Sequence, residues 1–235
     1  SAISVKNNMS AYFAAQERCV NEIDYISRSL ALPPRYGHVF RASVQKYVER
    51  NTHKLYILTL GDDGKIALTS PTIIKNNLAR YLQEYRMDND VIEITDGKVI
   101  NFGIDFTIMV DKAKKSKKET IMNCIKNLID YFDINNWYMG QPILIAGKDG
   151  VQNVIESVMG VISMTDIKFK QIIGPSYSTN KLRYDAINSD LLEECPIDNI
   201  NREAVIVPVN NIIGIKPQYI FELRFPNKDI IGRAI

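Results

Sequence analysis

The sequence predicts an α+β protein, built of small strand-helix modules with mixed and antiparallel sheets and a C-terminal β extension. Two patterns support this class. Apolar and polar residues alternate from Ile100 to Val110, which is the period of a strand with one buried face. Apolar residues recur at intervals of three and four from Ile74 to Tyr85 and from Ile121 to Phe132, as in amphipathic helices.

The first predicted module, residues 1–95, is an N-terminal helix followed by a ββαβ unit. Asn21 and Asp24 form a capping-box pattern at the helix start, and the two prolines after Leu32 end the helix. Ser70 before Pro71 is a strong start signal for the second helix. We expect Ile23, Ile26 and Leu30 on the buried face of the first helix, and strands at 38–45, 55–60, 66–68 and 91–94.

The second predicted module, residues 96–175, has the order strand, two helices, strand. Its first strand is the alternating segment 100–110. Ser116 and Glu119 form a capping box that opens the first of its helices. A shorter helix follows from Val151 and stops at Gly160, before a strand near 167–173.

The third predicted segment, residues 176–235, is a C-terminal extension with a partner-contact loop and β strands. Residues 174–203 are polar and turn-rich, and such long connections are unusual inside a compact domain. We expect this segment to be either a partner-binding arm or a loop around a short helix near 188–194. Alternating apolar residues predict a strand from Tyr219 to Phe225. We expect the extension to contact partners through Tyr177, Leu182, Tyr184, Leu191, Leu192, Ile230, Ile231 and Ile235.

The composition indicates a globular protein without an evident reaction centre. The chain has 235 residues, 46% of them hydrophobic and 24% charged, and a formal net charge of +2. This charge is too small to indicate a nucleic-acid partner, and no apolar run is long enough for a membrane span. The three cysteines lack metal-type spacing, which favours reduced, buried thiols.

Four local motifs could carry chemistry, and each has a simpler explanation. The segment 147–150 resembles a phosphate loop, but Asp149 stands where Ser or Thr should meet magnesium. His38 and His53 have no partners at metal-ligand spacing. The lysine run 112–118 is typical of a solvated loop, although an acidic partner would offset its charge at a helix start. Phe102 and Phe106 lack the flanking pattern of an RNA-recognition strand. We therefore expect no catalytic residues, no metal and no cofactor.

The order helix, Pro-Pro, paired strands, helix and long alternating strand resembles the baseplate J-like family of contractile-tailed bacteriophages. Within it, the likeness is to the wedge proteins of T-even-type baseplates, in their C-terminal part. It covers roughly residues 14–173. The positions that carry it are Asp24-Tyr25, Pro33-Pro34, Gly37-His38-Val39-Phe40, Asp90-Val91-Ile92 and Ile104-Asp105-Phe106.

This resemblance implies a structural protein of the virion, not an enzyme. It implies a wedge subunit that joins wedges into a ring around the tail hub and transmits the shape change that triggers sheath contraction. The implied partners are a second copy of the chain, other wedge subunits and hub-proximal tail proteins. No nucleic acid, membrane or small-molecule substrate is implied. The implied location is the tail baseplate, after assembly in the host cytoplasm. The alternative from the residues is a nucleic-acid-binding α+β module of another assembly.

Overall fold

The computed structural model describes residues 18–48, 51–111, 113, 116–180, 182–184, 191–194, 203–206 and 208–235. The chain divides after Lys98 into two compact units, called unit 1 (Ser1–Lys98) and unit 2 (Val99–Ile235). The predicted α+β class is confirmed. The predicted segment boundary at 175/176 lies inside unit 2, where strands from both sides of it pair with each other.

Unit 1 packs two helices on a three-stranded sheet. The strands have the order β1-β2-β3, with β1 and β2 antiparallel and β2 and β3 parallel. The core contains Leu55 and Ile57 of the central strand together with Leu78 and Leu82 of the second helix. The elements are α1 Glu22–Leu30, β1 Arg41–Tyr47, β2 Thr52–Leu58, α2 Thr72–Gln83 and β3 Val91–Asp96.

The predicted capping box of α1 is confirmed. The Asn21 side chain accepts the Asp24 amide at 2.9 Å, and the Asp24 carboxylate accepts the Asn21 amide at 3.0 Å. The predicted buried face is confirmed at Ile26 and Leu30, which pack against the core, but it was wrong at Ile23, which is 64% exposed. Tyr25, at 1% exposure, is buried instead. Tyr25 and Ser29 lie on the buried side of the helix, because the Tyr25 hydroxyl donates a hydrogen bond to the buried carboxylate of Asp90.

The apolar stripe predicted for α2 is confirmed by the complete burial of Leu78 and Leu82. Its predicted cap was wrong, since no side chain caps the helix. Asp96 of β3 instead accepts the Ser70 amide at 2.9 Å and binds the Lys75 ammonium at 2.8 Å. The predicted strand 66–68 was also wrong: Ile66 is buried but pairs with Leu60 in a single isolated bridge.

Unit 2 is built around one long central strand, β4, which confirms the predicted alternating strand. The sheet has the order β11-β4-β6-β9, and β12 pairs in parallel with β4 from Ile104 to Ile108. A second, four-stranded sheet has the order β5-β10-β8-β7. The elements are β4 Lys98–Val110, α3 Lys117–Tyr131, β5 Ile143–Leu144, α4 Val151–Glu156, β6 Val161–Ile172, β7 Leu182–Tyr184, β8 Leu191–Glu194, β9 Glu203–Ile206, β10 Ile212–Ile215, β11 Tyr219–Glu222, α5 Pro226–Asp229 and β12 Ile230–Ala234.

The expected short helix near 188–194 was wrong, because Leu191–Glu194 is the strand β8. Its backbone pairs in parallel with β10 and antiparallel with β7. Of its two partner strands, β10 is distant in sequence and β7 has no clear apolar alternation, so local propensity does not predict the strand β8. The segment predicted as a C-terminal extension therefore supplies strands to both sheets of unit 2.

The inner face of the β4 sheet is the core of unit 2. Ile104 and Ile108 are fully buried there. Phe102 lies at the centre of an aromatic cluster, with ring centroids 5.0 Å from Phe132, 5.7 Å from Phe221 and 6.2 Å from Phe169. The predicted Ser116 cap of α3 is confirmed, since its side chain accepts the Glu119 amide. Cys124 and Leu128 of this helix are fully buried.

Candidate functional site

A buried polar cluster lies in unit 1 around the carboxylate of Asp90. The Tyr25 hydroxyl donates to Asp90 Oδ2 at 2.7 Å, and His53 Nε2 lies 3.3 Å from the same oxygen. The Asn51 side-chain amide donates to Asp90 Oδ1 at 3.2 Å. Tyr25 comes from α1 and His53 from β2, and Asp90 immediately precedes β3. The carboxylate therefore ties three elements together.

The electrostatics of this cluster follow from burial. Desolvation raises the pKa of the Tyr25 hydroxyl, and its hydrogen bond to Asp90 raises the pKa further. Burial also raises the pKa of the nearby Cys19 thiol to about 12, so the thiol is protonated and unreactive. His53 is 2% exposed and Asp90 8%, so a substrate has no access to the pair.

The sequence interpretation of His53 missed this contact. It looked for acidic residues at short ligand spacing, whereas Asp90 lies far along the chain. His38, the other histidine, is exposed. A signal was present in the position of Asp90 directly before a strand that pairs with β2, but register cannot be read from one strand alone.

A second buried polar cluster lies on the outer face of the sheet in unit 2. The Asn101 side chain donates to Glu222 Oε2 at 2.8 Å and accepts the Ser178 amide at 2.6 Å. Arg224 Nη1 donates to the same Glu222 oxygen at 2.9 Å. Glu222 is 2% exposed, so its charge is held by these partners inside the protein.

The segment 174–180, called the strap, covers this half of the outer face. Within the strap the Tyr177 hydroxyl donates to Asp229 Oδ1 at 2.7 Å, and Asn180 donates to the Val99 carbonyl at 3.2 Å. Gly103 faces the carbonyl of Asp229 so closely that an added Cβ would lie 2.7 Å from that oxygen. The strap and the α5 turn therefore sit directly on the first half of β4.

The residues predicted to contact partners have different positions. Tyr177 and Ile230 are buried within unit 2, at 7% and 5% exposure. Ile231 and Ile235 are exposed, at 45% and 58%. Leu182 and Tyr184 lie in β7, and Leu191 and Leu192 lie in β8, but these four side chains are outside the described part. The contacts that these residues make with partners remain a prediction.

Among the described residues, neither the strap nor a helix covers the second half of the outer face, which is called the open face. It consists of alternate residues from three neighbouring strands, and Met109 on β4 is 44% exposed. Its register follows from the pairing of β4 with β6 and β12 and from the hydrogen bond of the Ile235 amide to the Ile108 carbonyl. The members are Asp105, Thr107 and Met109 of β4, Ser163, Asp166 and Lys168 of β6, and Ile231, Arg233 and Ile235 of the β12 segment.

The other motifs are structural where they are described. The turn 147–150 places Gly147 at φ +101° and leads into α4, a helix of six residues. Lys117 donates to the carbonyl of Ala234 at 3.4 Å, and Lys118 is exposed. Lys112, Lys114 and Lys115 lie outside the described residues. An apolar cleft of about 270 Å³ lies between Pro142, Val209 and Ile212, and no charged side chain in the described part of the chain lines it.

Among the described residues, no group of three or more His, Cys, Asp or Glu side chains is placed to hold a metal ion. None of the helices in the described part combines the length and the apolar character that crossing a membrane requires.

No protein-family model and no curated protein matches the chain. The fold is similar to a chain in the cryo-EM structure of the anti-feeding prophage (AFP) baseplate, 6-fold symmetrised, with 13% sequence identity and a TM-score of 0.49. The match covers 72% of this chain and 37% of that one, so this chain spans well under half of the baseplate protein.

Proposed function

We propose that the protein is a structural subunit of a contractile-tail phage baseplate, in the wedge that surrounds the hub. The observation that supports this most is that buried carboxylates in the described units are bound by other side chains of the same unit. The buried carboxylates Asp90, Glu222 and Asp229 are bound by neighbouring side chains within the fold, and none of them lines the cleft. This arrangement is expected of a rigid building block rather than of a catalytic site.

The finer role follows from the sequence resemblance to the J-like family. In this role the protein joins neighbouring wedges into a ring and transmits the change of baseplate shape that triggers sheath contraction. It contacts a second copy of itself, other wedge subunits and hub-proximal tail proteins. Contacts of this kind act by rigid-body movement of packed units, for which no bond chemistry is needed.

The test is to locate the chain in phage particles. Antibodies against it should label the tail end that carries the baseplate, and interruption of its gene should give tails without complete baseplates. A plasmid copy of the gene should restore complete baseplates. Normal baseplates assembled in the absence of the chain would contradict the proposal.

A further inference from the structure

We propose that the open face of unit 2 packs against the open face of a second copy. The two copies are related by a two-fold axis that is parallel to β4 and lies between the two faces. This proposal deepens the self-association included in the proposed function and rests on it, because it names the surface and its charge pairing.

The open face is a grid of three rows, read across β12, β4 and β6. The strand pairings fix each row, since residues paired directly across a sheet lie on the same side. The first row is Ile231, Asp105 and Lys168. The middle row is Arg233, Thr107 and Asp166. The last row is Ile235, Met109 and Ser163.

Three apolar side chains of this grid are exposed to solvent. Met109 is 44%, Ile231 45% and Ile235 58% exposed. The inner-face residues of β4 are buried, and the strap covers the first half of its outer face. Clustered exposed apolar side chains beside covered ones mark an interaction surface.

The charges of the middle row select a second copy as the occupant. Arg233 lies on one side of Thr107, and Asp166 lies on the other side. A two-fold axis along β4 exchanges the β12 and β6 columns of the grid. Arg233 of each copy then faces Asp166 of the other, which gives two identical ion pairs, and Met109 faces its own counterpart on the axis.

The remaining charges are compatible with this packing. Asp105 would face its own counterpart, but each Asp105 is bound by Lys170 of the same chain at 2.8 Å. Asp166 also contacts Lys168 at 3.2 Å, and both of these side chains are more than half exposed. An exposed pair of this kind contributes little, so Asp166 remains free to pair across the interface.

The face is a better contact than the edge of β12. At this edge the Lys117 ammonium donates a hydrogen bond to the Ala234 carbonyl, and the strand has only five residues. Short strands and lysines are features that protect edges from pairing with another chain.

The open face is small for an interface. The nine-residue grid measures roughly 10 by 14 Å, so its area is well below the ~800 Å² per partner of a standard interface. We therefore expect weak association, with a Kd on the order of 100 μM.

The test uses two charge reversals, Arg233→Asp and Asp166→Arg, in the whole chain. Sedimentation analysis of the wild type at increasing concentration should show a monomer–dimer equilibrium, and each variant alone should be at least about tenfold weaker. An equimolar mixture of the two variants should dimerise again, because each mixed dimer contains two complementary pairs. Rescue on mixing cannot arise from effects inside one chain.

The matched control is Lys126→Asp, at an exposed position of α3, and this variant should dimerise like the wild type. Circular dichroism checks that each variant is folded, and the mixture provides a second check because a misfolded variant cannot rescue. A monomeric wild type at about ten times the expected Kd, variants that dimerise normally, or a mixture that stays monomeric would overturn this proposal. A monomer that still localises to baseplates would refute the open face alone, whereas a dimer absent from baseplates would refute the proposed function.

Discussion

At the scale of single residues, Asp90 determines how unit 1 is held together. Its carboxylate accepts hydrogen bonds from the Tyr25 hydroxyl and the Asn51 side-chain amide and lies beside His53. Removing such an acceptor leaves buried donors without a partner, which costs more than the net value of the bonds themselves. The cluster is therefore more sensitive to loss of Asp90 than to loss of any one donor.

We expect Asp90→Ala to lower the free energy of unfolding of unit 1 by about 3 kcal/mol, because it breaks a buried, hydrogen-bonded charge cluster. Chemical denaturation followed by circular dichroism measures this. Asp88→Ala, two positions earlier at an exposed site, is the control and should cost no more than about 0.5 kcal/mol. Similar losses in the two variants would show that Asp90 does not hold the cluster.

Alkaline pH should destabilise the protein through Tyr25. Its pKa is raised above the ordinary value of 10.0 by burial and by Asp90. The folded state keeps this proton when the unfolded chain has lost it, so the contribution to stability is complete below pH 10 and is lost as the pH rises further. Melting temperatures from pH 8 to 11 should fall less steeply in Tyr25→Phe than in the wild type.

Tyr138→Phe is the control for this pH series, because Tyr138 is 59% exposed. It should leave the alkaline part of the curve unchanged. An identical fall in wild type and Tyr25→Phe would mean that other groups cause the alkaline loss. Tyr177, whose pKa is raised by burial and by Asp229, is the corresponding group in unit 2.

At the scale of elements, β4 shows what one strand can carry on two faces. Its inner residues are buried along the whole length, but its outer face changes from the buried Asn101 to the exposed Met109. Two register shifts against β6, after Thr107 and after Met109, accompany this change. The strand is thus a core element at its start and a surface element at its end.

Charges introduced on the two faces of β4 should have different effects. Ile104→Asp and Phe106→Asp should unfold unit 2, since each places an unpaired charge at a site no more than 1% exposed. Thr107→Asp points to the open face and should cost less than about 1 kcal/mol. Thermal unfolding followed by circular dichroism separates these cases. Equal losses at Ile104 and Thr107 would mean that the strand faces are assigned wrongly.

The elements that the sequence predicted correctly are those with a long, local signal. The alternation of β4, the stripe of α2 and the caps at Asn21 and Ser116 all depend on residues a few positions apart. The errors concern tertiary partners. The sequence predicts Ile23 on the buried face because no local pattern shows that Tyr25 binds Asp90. It allows a helix near 188–194 because the strand partners of Leu191–Glu194 are known only from the fold. The open face required the register of β12, which no local pattern gives.

At the scale of the whole molecule, each unit contains a buried cysteine that reports on its integrity. Cys19 and Cys124 are both fully buried. Burial raises the pKa of Cys124 to about 11 and that of Cys19 to about 12. Since thiol reagents need an accessible thiolate, neither residue should react in the folded protein.

We expect both thiols to react with a disulfide reagent only when their own unit opens. The measurement is the labelling rate of a Cys195→Ser protein in increasing urea, with peptide mass spectrometry to assign the sites. Ser157→Cys, at an exposed position after α4, supplies a thiol that should react within the mixing time. Fast labelling of Cys19 or Cys124 without denaturant would contradict the burial of that residue.

The late position of β12 in the sequence has a consequence for synthesis on the ribosome. The β1–β2 hairpin and the other elements of unit 1 are complete once Lys98 has been made. β4 follows at once, yet its neighbour β12 is translated more than a hundred residues later. At about 5–20 residues per second, the nascent β4 waits several seconds or longer with the backbone N–H and C=O groups of this edge unpaired. A cell that makes this protein is therefore expected to shield that edge with a chaperone until translation ends.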